Sequence, residues 1–384
     1  MALATALVAP TDDLASIREM TRKFADERIR PVANELDESE TFPADLYKEC
    51  AELGLFGITV PQEMGGLGAN VSTYAAVMEE LSRGYSSVAD QCGLIELIGT
   101  LLSTYGTKEQ IARYLPPTLK AEKRCAYALT EAEAGSDLAS LKTSAVRSGD
   151  GWELSGQKLW IHNAPVADFA LALARTDPAA GHRGMSIFIV DLDLPGVSRG
   201  KKERKMGQRA SQIGALFFEK VKLPKAALLG PEGRGFHIMM SVLEKGRVGI
   251  ASLAVGILQQ ALEESVAYAK ERRQFGKPIA DFQAVQWMIA DMAKDTCAAQ
   301  LLVQNAAAKL DRGESAALES SIAKCFAGDA AVLHTQNAVQ IHGGSGYIRG
   351  VAVERLYRDA KITQIYEGTN QIQRMIIARQ LLKD

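Results

Sequence analysis

No charge of one sign dominates this chain: its 384 residues carry 44 Lys and Arg against 46 Asp and Glu, a formal net charge of −2. A balance this even offers no broad electrostatic attraction for nucleic acid or acidic membranes, so neither is expected as a partner. Basic residues crowd together at Lys201, Lys202, Arg204 and Lys205, a density that more often marks a solvated loop than a binding patch. Cysteine is scarce and scattered, at positions 50, 92, 125, 297 and 325. No Cys-x-x-Cys or Cys/His grouping appears, which argues against both a zinc site and a disulfide framework and fits reduced thiols in the cytoplasm. No uncharged stretch approaches the ~20 residues needed to cross a bilayer. The apolar start, residues 1–10, has no basic residue ahead of it and lacks the layout of a secretory signal. The expectation is a cytoplasmic protein.

What is present is helical periodicity at both ends and strand texture between. Up to about residue 119, Leu14, Ile17, Phe24, Ile29, Val32 and Leu36 recur at helical steps, and 72–82 and 94–105 read as further helices. The run Pro61-Gln-Glu-Met-Gly-Gly-Leu-Gly68 is a loop that resembles a phosphate loop only superficially. Near Arg124 the texture changes. Strand-like runs at 143–162 are broken by Gly149-Asp150-Gly151, a hairpin signal, and 169–174, 185–190 and 215–223 are short apolar or alternating runs. Helical patterns return at 236–272, 282–310, 316–341 and 371–382, enough for a four-helix bundle. Gly246, Gly249 and Gly256 interrupt the first of these at a cost of ~1 kcal/mol each, which suggests close approach to another helix or a ligand. The expected fold class is α+β: an N-terminal α-helical domain over 1–120, a middle small β-barrel or β-sandwich domain over 121–230, and a C-terminal four-helix bundle over 231–384.

Three separated segments carry chemistry: Tyr127-Ala-Leu-Thr-Glu-Ala-Glu-Ala-Gly-Ser-Asp137, Gly156-Gln-Lys-Leu-Trp-Ile-His-Asn163 and Ile365-Tyr-Glu-Gly-Thr-Asn-Gln-Ile-Gln373. Arg272-Arg-Gln-Phe-Gly276 and Val339-Gln-Ile-His-Gly-Gly-Ser-Gly346 support them. In this order and spacing they resemble the acyl-CoA dehydrogenase family over essentially the whole chain. The resemblance implies FAD as cofactor, an acyl-CoA substrate, electron-transferring flavoprotein as electron acceptor and a homotetramer. It places Tyr127, Leu129 and Thr130 along the flavin ring, Trp160 over it, and Ile161 and His162 beside it. Ser136 matches a position near the pyrophosphate and the thioester tail. Arg272, Phe275 and Gln340 match residues that reach the FAD of a neighbouring subunit, and Gly344, Thr369 and Gln371 complete the cofactor set. Glu244, Arg247 and Gly368 join Ser136 as substrate contacts. Taken singly, each has a plainer description: Thr130 as a turn cap, Trp160 as core, Arg272 as a helix-end arginine, Arg247 as a brace.

Within the resemblance Glu367 is the catalytic base. The α-proton of a thioester is weakly acidic. A carboxylate that removes it must be raised toward neutrality by an apolar pocket, while hydrogen bonds to the carbonyl oxygen acidify the proton. The β-hydride then passes to flavin N5. A minority of the family carries its glutamate on the first long C-terminal helix, at the position held here by Gly246, which has no side chain to act as a base. Acyl-CoA oxidase, decarboxylating and desulfinating relatives use the same fold and remain alternatives, as does a non-catalytic scaffold.

Three departures stand out. His162 occupies a place where many relatives have Thr or Ser. It either displaces the flavin ring and alters its potential or turns away. The segment Arg209-Ala-Ser-Gln-Ile-Gly214 differs from the commoner Gly-Ser-Asp-Thr version. Glu96 sits inside an apolar run, where it would face a polar acyl group, act as a second base in ring dehydrogenation, or, as is commoner, lie on a solvated helix face. Short or branched acyl groups are the mild expectation for substrate.

Overall fold

The computed structural model describes residues 12–383, so the apolar opening at 1–10 lies outside the described residues. The N-terminal helices are α1 (Asp12–Phe24), α2 (Ala33–Ser39), α3 (Ala44–Glu52), α4 (Val71–Gly84), α5 (Ser86–Tyr105) and α6 (Lys108–Leu119). Asn70 starts α4 by accepting the Thr73 N–H on its side chain at 2.9 Å, and Thr107 starts α6 with a reciprocal capping box. The glycine-rich loop before α4 folds onto itself: a Cβ on Gly66 would overlap the Val60 backbone, so this loop cradles its own chain.

Strands β1 (Cys125–Ala128), β2 (Ser144–Ser148), β3 (Gly151–His162), β4 (Phe169–Arg175), β5 (Met185–Asp191), β6 (Val197–Arg199), β7 (Ile213–Leu223) and β8 (Leu228–Leu229) follow. They form a mixed sheet in the order β6-β7-β3-β2-β4-β5-β8, with β1 parallel to β4. The hairpin expected at Gly149-Asp150 joins β2 to β3, with Ser148 paired to Gly151. On the central strand β4 both faces are buried and alternate with a period of two. On β4, Phe169, Leu171 and Leu173 join the helical core, while Ala170, Ala172 and Ala174 face a second core inside the sheet. That second core is organised by Trp152, edge-on to Phe188 at 5.2 Å between ring centres. Tyr127 and Leu129 fall on the helix-facing side of β1, which aims this segment at the domain junction.

After β8 come α7 (Gly235–Ser241), α8 (Leu243–Glu271), α9 (Gln283–Asp311), α10 (Ala317–His342), α11 (Ala352–Ala360) and α12 (Asn370–Leu381). The single helix expected over 236–272 is broken at Val242, because α7 packs on the sheet whereas α8 packs on α4 and α10. A Cβ on Gly235 would lie 2.7 Å from the Ser186 backbone of β5. α11 is absent from the periodicity reading: its buried face includes Arg355 and Asp359 beside Val353 and Leu356, so charge hides the apolar stripe. Among the described residues no helix is long and apolar enough to cross a membrane.

α4 is the hinge of the packing. Its Glu79 and Glu80 are buried and draw donors from α1, α8 and α9: Arg18 and Arg22 reach Glu80 at 2.8 and 2.9 Å, and Gln259 and Gln300 reach Glu79 at 2.5 and 2.7 Å. Ser82 Oγ donates to the Leu253 carbonyl at 2.6 Å. Such close approach needs Gly256, where a Cβ would overlap the Glu79 carbonyl and stand 2.7 Å from Ser82 Cβ. Gly256→Ala is therefore expected to destabilise the fold by about 1–3 kcal/mol through overpacking against backbone, read as a lowered denaturant midpoint. A midpoint equal to that of the unmodified chain would refute the tight α4–α8 contact.

Candidate active site

The turn between α11 and α12 delivers a glutamate into the interior. Glu367 sits at φ +51° and Gly368 at φ +91°, a left-handed pair that strains the non-glycine residue. The strain persists because the surroundings fix it. Lys324, buried on α10, donates to the Gly368 carbonyl at 2.7 Å and to Asn370 Oδ1 at 3.1 Å. Gln373 adds a bond to the same carbonyl at 3.0 Å, and Thr369 caps α12 by accepting the Ile372 N–H at 3.3 Å. Asn370 in turn donates to the Cys325 carbonyl at 3.1 Å and to Asp329 at 2.8 Å.

Glu367 Oε2 is buried with no hydrogen-bond partner. It lies against Gly246 of α8, where a Cβ would overlap it and stand 3.2 Å from the carboxyl carbon. The two positions weighed for a base in the sequence thus meet at one point in space: the glycine leaves the room that the glutamate fills. Loss of solvation pushes the Glu367 carboxyl up to about 7. The Asp90 charge adds to the rise, and Lys324 and Arg247 oppose it. Lys324 is itself pulled down to about 8 by burial, with Glu367 pulling the other way. Arg247 is buried with its Nε unpartnered, and burial lowers it from its usual value. Burial raises the hydroxyls of Tyr74, Tyr127 and Tyr366 well above their usual range, and the Glu367 charge contributes to each. These phenols stay protonated around the carboxylate.

The end of β3 forms the second half of the site. A register shift between Lys158 and Ile161 puts a bulge here, and Trp160, at φ +55°, is thrown outward to 59% exposure while Ile161 is buried. Lys158 points inward and is fully buried, donating to the Leu129 carbonyl at 2.9 Å and to Glu131 at 2.8 Å. Glu131 also accepts the Thr143 N–H at 3.0 Å. The Leu159 N–H bonds the Thr130 carbonyl at 2.9 Å, so Thr130 and Trp160 are held side by side. The Thr130 hydroxyl makes no hydrogen bond among the described residues.

His162 is tied to the helices. Its Nε2 lies 2.9 Å from Gln91 Nε2 and 2.9 Å from Ser211 Oγ, and 3.4 Å from Asp90. Gln91 and Asn163 exchange amide bonds at 3.0 and 2.8 Å, and Ser211 donates to Asp90 at 2.7 Å. With those protons committed, His162 Nε2 serves as an acceptor from Gln91. Burial lowers the imidazole's proton affinity, with the Asp90 charge opposing it.

The remaining sequence candidates divide. Ser136, Arg272, Gln340, Gly344 and Gln371 are exposed, as is Phe275 at 93% and φ +51°. They do not join the Glu367 group in the single chain. Glu244 is engaged locally, accepting Ser315 Oγ at 3.0 Å and the Ala316 N–H at 2.7 Å at the start of α10. Glu96 is on no solvated face. It is 1% exposed, paired with Lys245 at 2.9 Å and bonded to the Thr59 N–H at 3.3 Å, because the α5–α8 contact offers it a cation. Of the basic cluster, Lys201, Lys202 and Arg204 are exposed, whereas Lys205 turns inward to the Gln208 carbonyl at 2.7 Å. Sequence reasoning passed over Lys324, Asp90, Tyr74 and Lys158. The available signal was a lysine at 324 in a run of Ala and Ser, and a buried-strand lysine at 158.

Comparison with known proteins fits this geometry. The acyl-CoA dehydrogenase N-terminal, middle and C-terminal domains match residues 11–122, 126–221 and 233–382. The caffeyl-CoA reductase-Etf complex subunit CarC of Acetobacterium woodii is 45% identical, covering 96% of this chain and 97% of its own. The acyl-CoA dehydrogenase of Bacillus subtilis is 44% identical over 97% and 98%. The structure of butyryl-CoA dehydrogenase from Megasphaera elsdenii superposes with a TM-score of 0.95 at 37% identity, over 98% of this chain and 100% of that one. The chain belongs to the acyl-CoA dehydrogenase family of flavin-dependent oxidoreductases.

Proposed function

We propose that this chain is an FAD-dependent acyl-CoA dehydrogenase that converts an acyl thioester to its 2-enoyl product, with Glu367 as the base. The observation that carries the reading is the buried, unpartnered Glu367 Oε2, raised to about 7 and facing the gap left by Gly246. A carboxylate in that state binds a proton far more readily than a solvated one. The Glu367 N–H makes no hydrogen bond among the described residues, leaving a donor for the thioester carbonyl. A hydrogen bond there would stabilise the enolate-like charge that develops on the oxygen and so acidify the α C–H whose proton Glu367 takes.

The residues present fit a flavin. Trp160 offers an exposed indole face beside the free Thr130 hydroxyl, and Lys158 locks both strands behind them. Tyr127, Leu129, Ile161 and His162 would line the ring, and Ser136 would meet phosphate oxygens. When bound, the flavin supplies the acceptor for the hydride that leaves Cβ. Arg272, Phe275 and Gln340, exposed in one chain, would close the cofactor site of a neighbouring subunit in a homotetramer, with Gly344, Thr369 and Gln371 completing the cofactor set. Arg247 and Gly368 border the acyl group. Electron-transferring flavoprotein is the proposed electron partner, supported by the Etf complex named for the Acetobacterium woodii relative. That relative is named a reductase; the same proton and hydride positions serve both directions, so the electron partner sets the direction.

Anaerobic acyl-CoA is expected to bleach the yellow protein, and Glu367→Gln to retain flavin yet lose bleaching by at least about a thousandfold. The rate of bleaching should rise with pH through about 7 and then level, as the base loses its proton. A pH-independent rate, or a Gln variant that bleaches normally, refutes the assignment. The same carboxyl also ties stability to pH. Its folded pKa lies above the unfolded value, so this carboxyl's own contribution to stability is full below about pH 4 and is lost as pH rises through about 7. Glu367→Gln removes that loss and should be more stable than the unmodified chain at alkaline pH by about 3 kcal/mol, the gap closing in acid. Thermal unfolding across the pH range checks this, and a gap of constant size would sink it. Arg272→Ala should lower flavin content and tetramer together, measured by absorbance and light scattering; loss of neither would remove the shared cofactor site.

A further inference from the structure

We infer that Tyr74 closes the far end of the acyl cavity and limits this chain to short or compact acyl thioesters, an inference that rests on Glu367 being the base. Gly246 and Gly249 stand three residues apart on α8, so they share a face, with about 4.5 Å of helix rise between them. At Gly246 a Cβ would overlap the Glu367 carboxylate; at Gly249 it would overlap the Tyr74 hydroxyl, with the ring carbon Cζ at 2.9 Å. The base and the phenol therefore lie one turn apart along the same surface of α8. A chain laid beside Glu367 and running along that surface meets Tyr74 after a few carbons.

Tyr74 reaches this point from α4, across the gap to two other helices. It is 2% exposed, and its hydroxyl also lies 3.6 Å from where a Cβ on Gly93 of α5 would be. Glycine on both sides makes room for the phenol. A side chain at Gly249 would push it away, and one at Gly93 would stand in contact with it. The hydroxyl makes no hydrogen bond among the described residues, leaving a polar tip at the end of the cavity.

One turn along α5 from Gly93 sits Glu96, in ion pair with Lys245 at 2.9 Å, and Lys245 also donates to Thr59 Oγ1 at 2.5 Å and to Thr100. The Glu96 charge is the strongest one acting on Tyr74. Methylenes pressed against this pair would gain little and would strip water or partners from charged groups. Wall and plug point the same way, toward a cavity that holds a small acyl group.

The test is a ladder of straight-chain thioesters, butyryl to octanoyl, mixed anaerobically with flavin-loaded protein, reading kcat/KM for bleaching. The unmodified chain is expected to favour butyryl-CoA over octanoyl-CoA by about tenfold or more. Tyr74→Ala should reverse that ratio toward the longer chain by about tenfold, and Tyr74→Phe, which keeps the ring, should leave it unchanged. Tyr74→Leu takes the place of the alanine variant should that one not fold. An unmodified chain equally fast on both thioesters, or a folded, flavin-loaded Tyr74→Ala with an unaltered ratio, overturns the role of Tyr74 while leaving the dehydrogenase reading intact. Bleaching by no thioester at all overturns the dehydrogenase reading, and the cavity limit with it.

Discussion

The site depends on one carboxylate held where it is uncomfortable. Glu367 loses its hydration and receives no hydrogen bond on Oε2 in return, at a backbone angle that non-glycine residues seldom adopt. Locally, Gln373 bonds the Gly368 carbonyl and Thr369 caps α12. The clamp comes from α10: Lys324 grips the next carbonyl, and Asn370 anchors the turn to Cys325 and Asp329. Lys324 both fixes the turn and, with Arg247, keeps the carboxyl from rising further than burial and Asp90 would drive it. Positioning and acidity are set by the same few atoms.

The rest of the architecture supplies what that carboxylate faces. α4 draws α1, α8 and α9 together through the Glu79 and Glu80 ion pairs, which brings α8's glycines against Tyr74 and Glu367. The sheet contributes from the other side. Its bulge in β3 turns Trp160 outward, and its internal Lys158–Glu131 pair ties β3 to the segment after β1. A buried pair of this kind is weak as a source of stability but strong as a device for register, since breaking either half would strand a charge. Of the eight left-handed residues other than glycine among the described residues, Trp160, Asn163, Gln208 and Glu367 lie on segments that border the site, while Glu40, Ala121, Lys220 and Phe275 lie elsewhere.

Much of this was legible in the sequence because it is written in local pattern. The period-two runs of β4 and β5, the hairpin at Gly149-Asp150 and the long helices α9 and α10 follow from periodicity and turn chemistry, which act over a few residues. The glycines of α8 announced close contacts, and each has one: Glu367 for Gly246, Tyr74 for Gly249, α4 backbone for Gly256. The break at Val242 and the existence of α11 were not legible, since the first reflects two different packing partners and the second buries charged residues paired with distant ones, such as Arg358 with Asp37 at 2.6 Å.

Glu96 shows the same limit in a single residue. An acid in an apolar helical run reads as solvated unless its cation is known, and that cation, Lys245, lies far along the chain. By itself, then, the sequence determined the order of helices and strands and the family, because propensity, periodicity and motif are properties of neighbours in the chain. Tertiary structure alone decided the raised proton affinity of Glu367, the lowered one of His162 and the contact of Tyr74 with α8. Solvation, charge and volume are shared among residues that meet only in space.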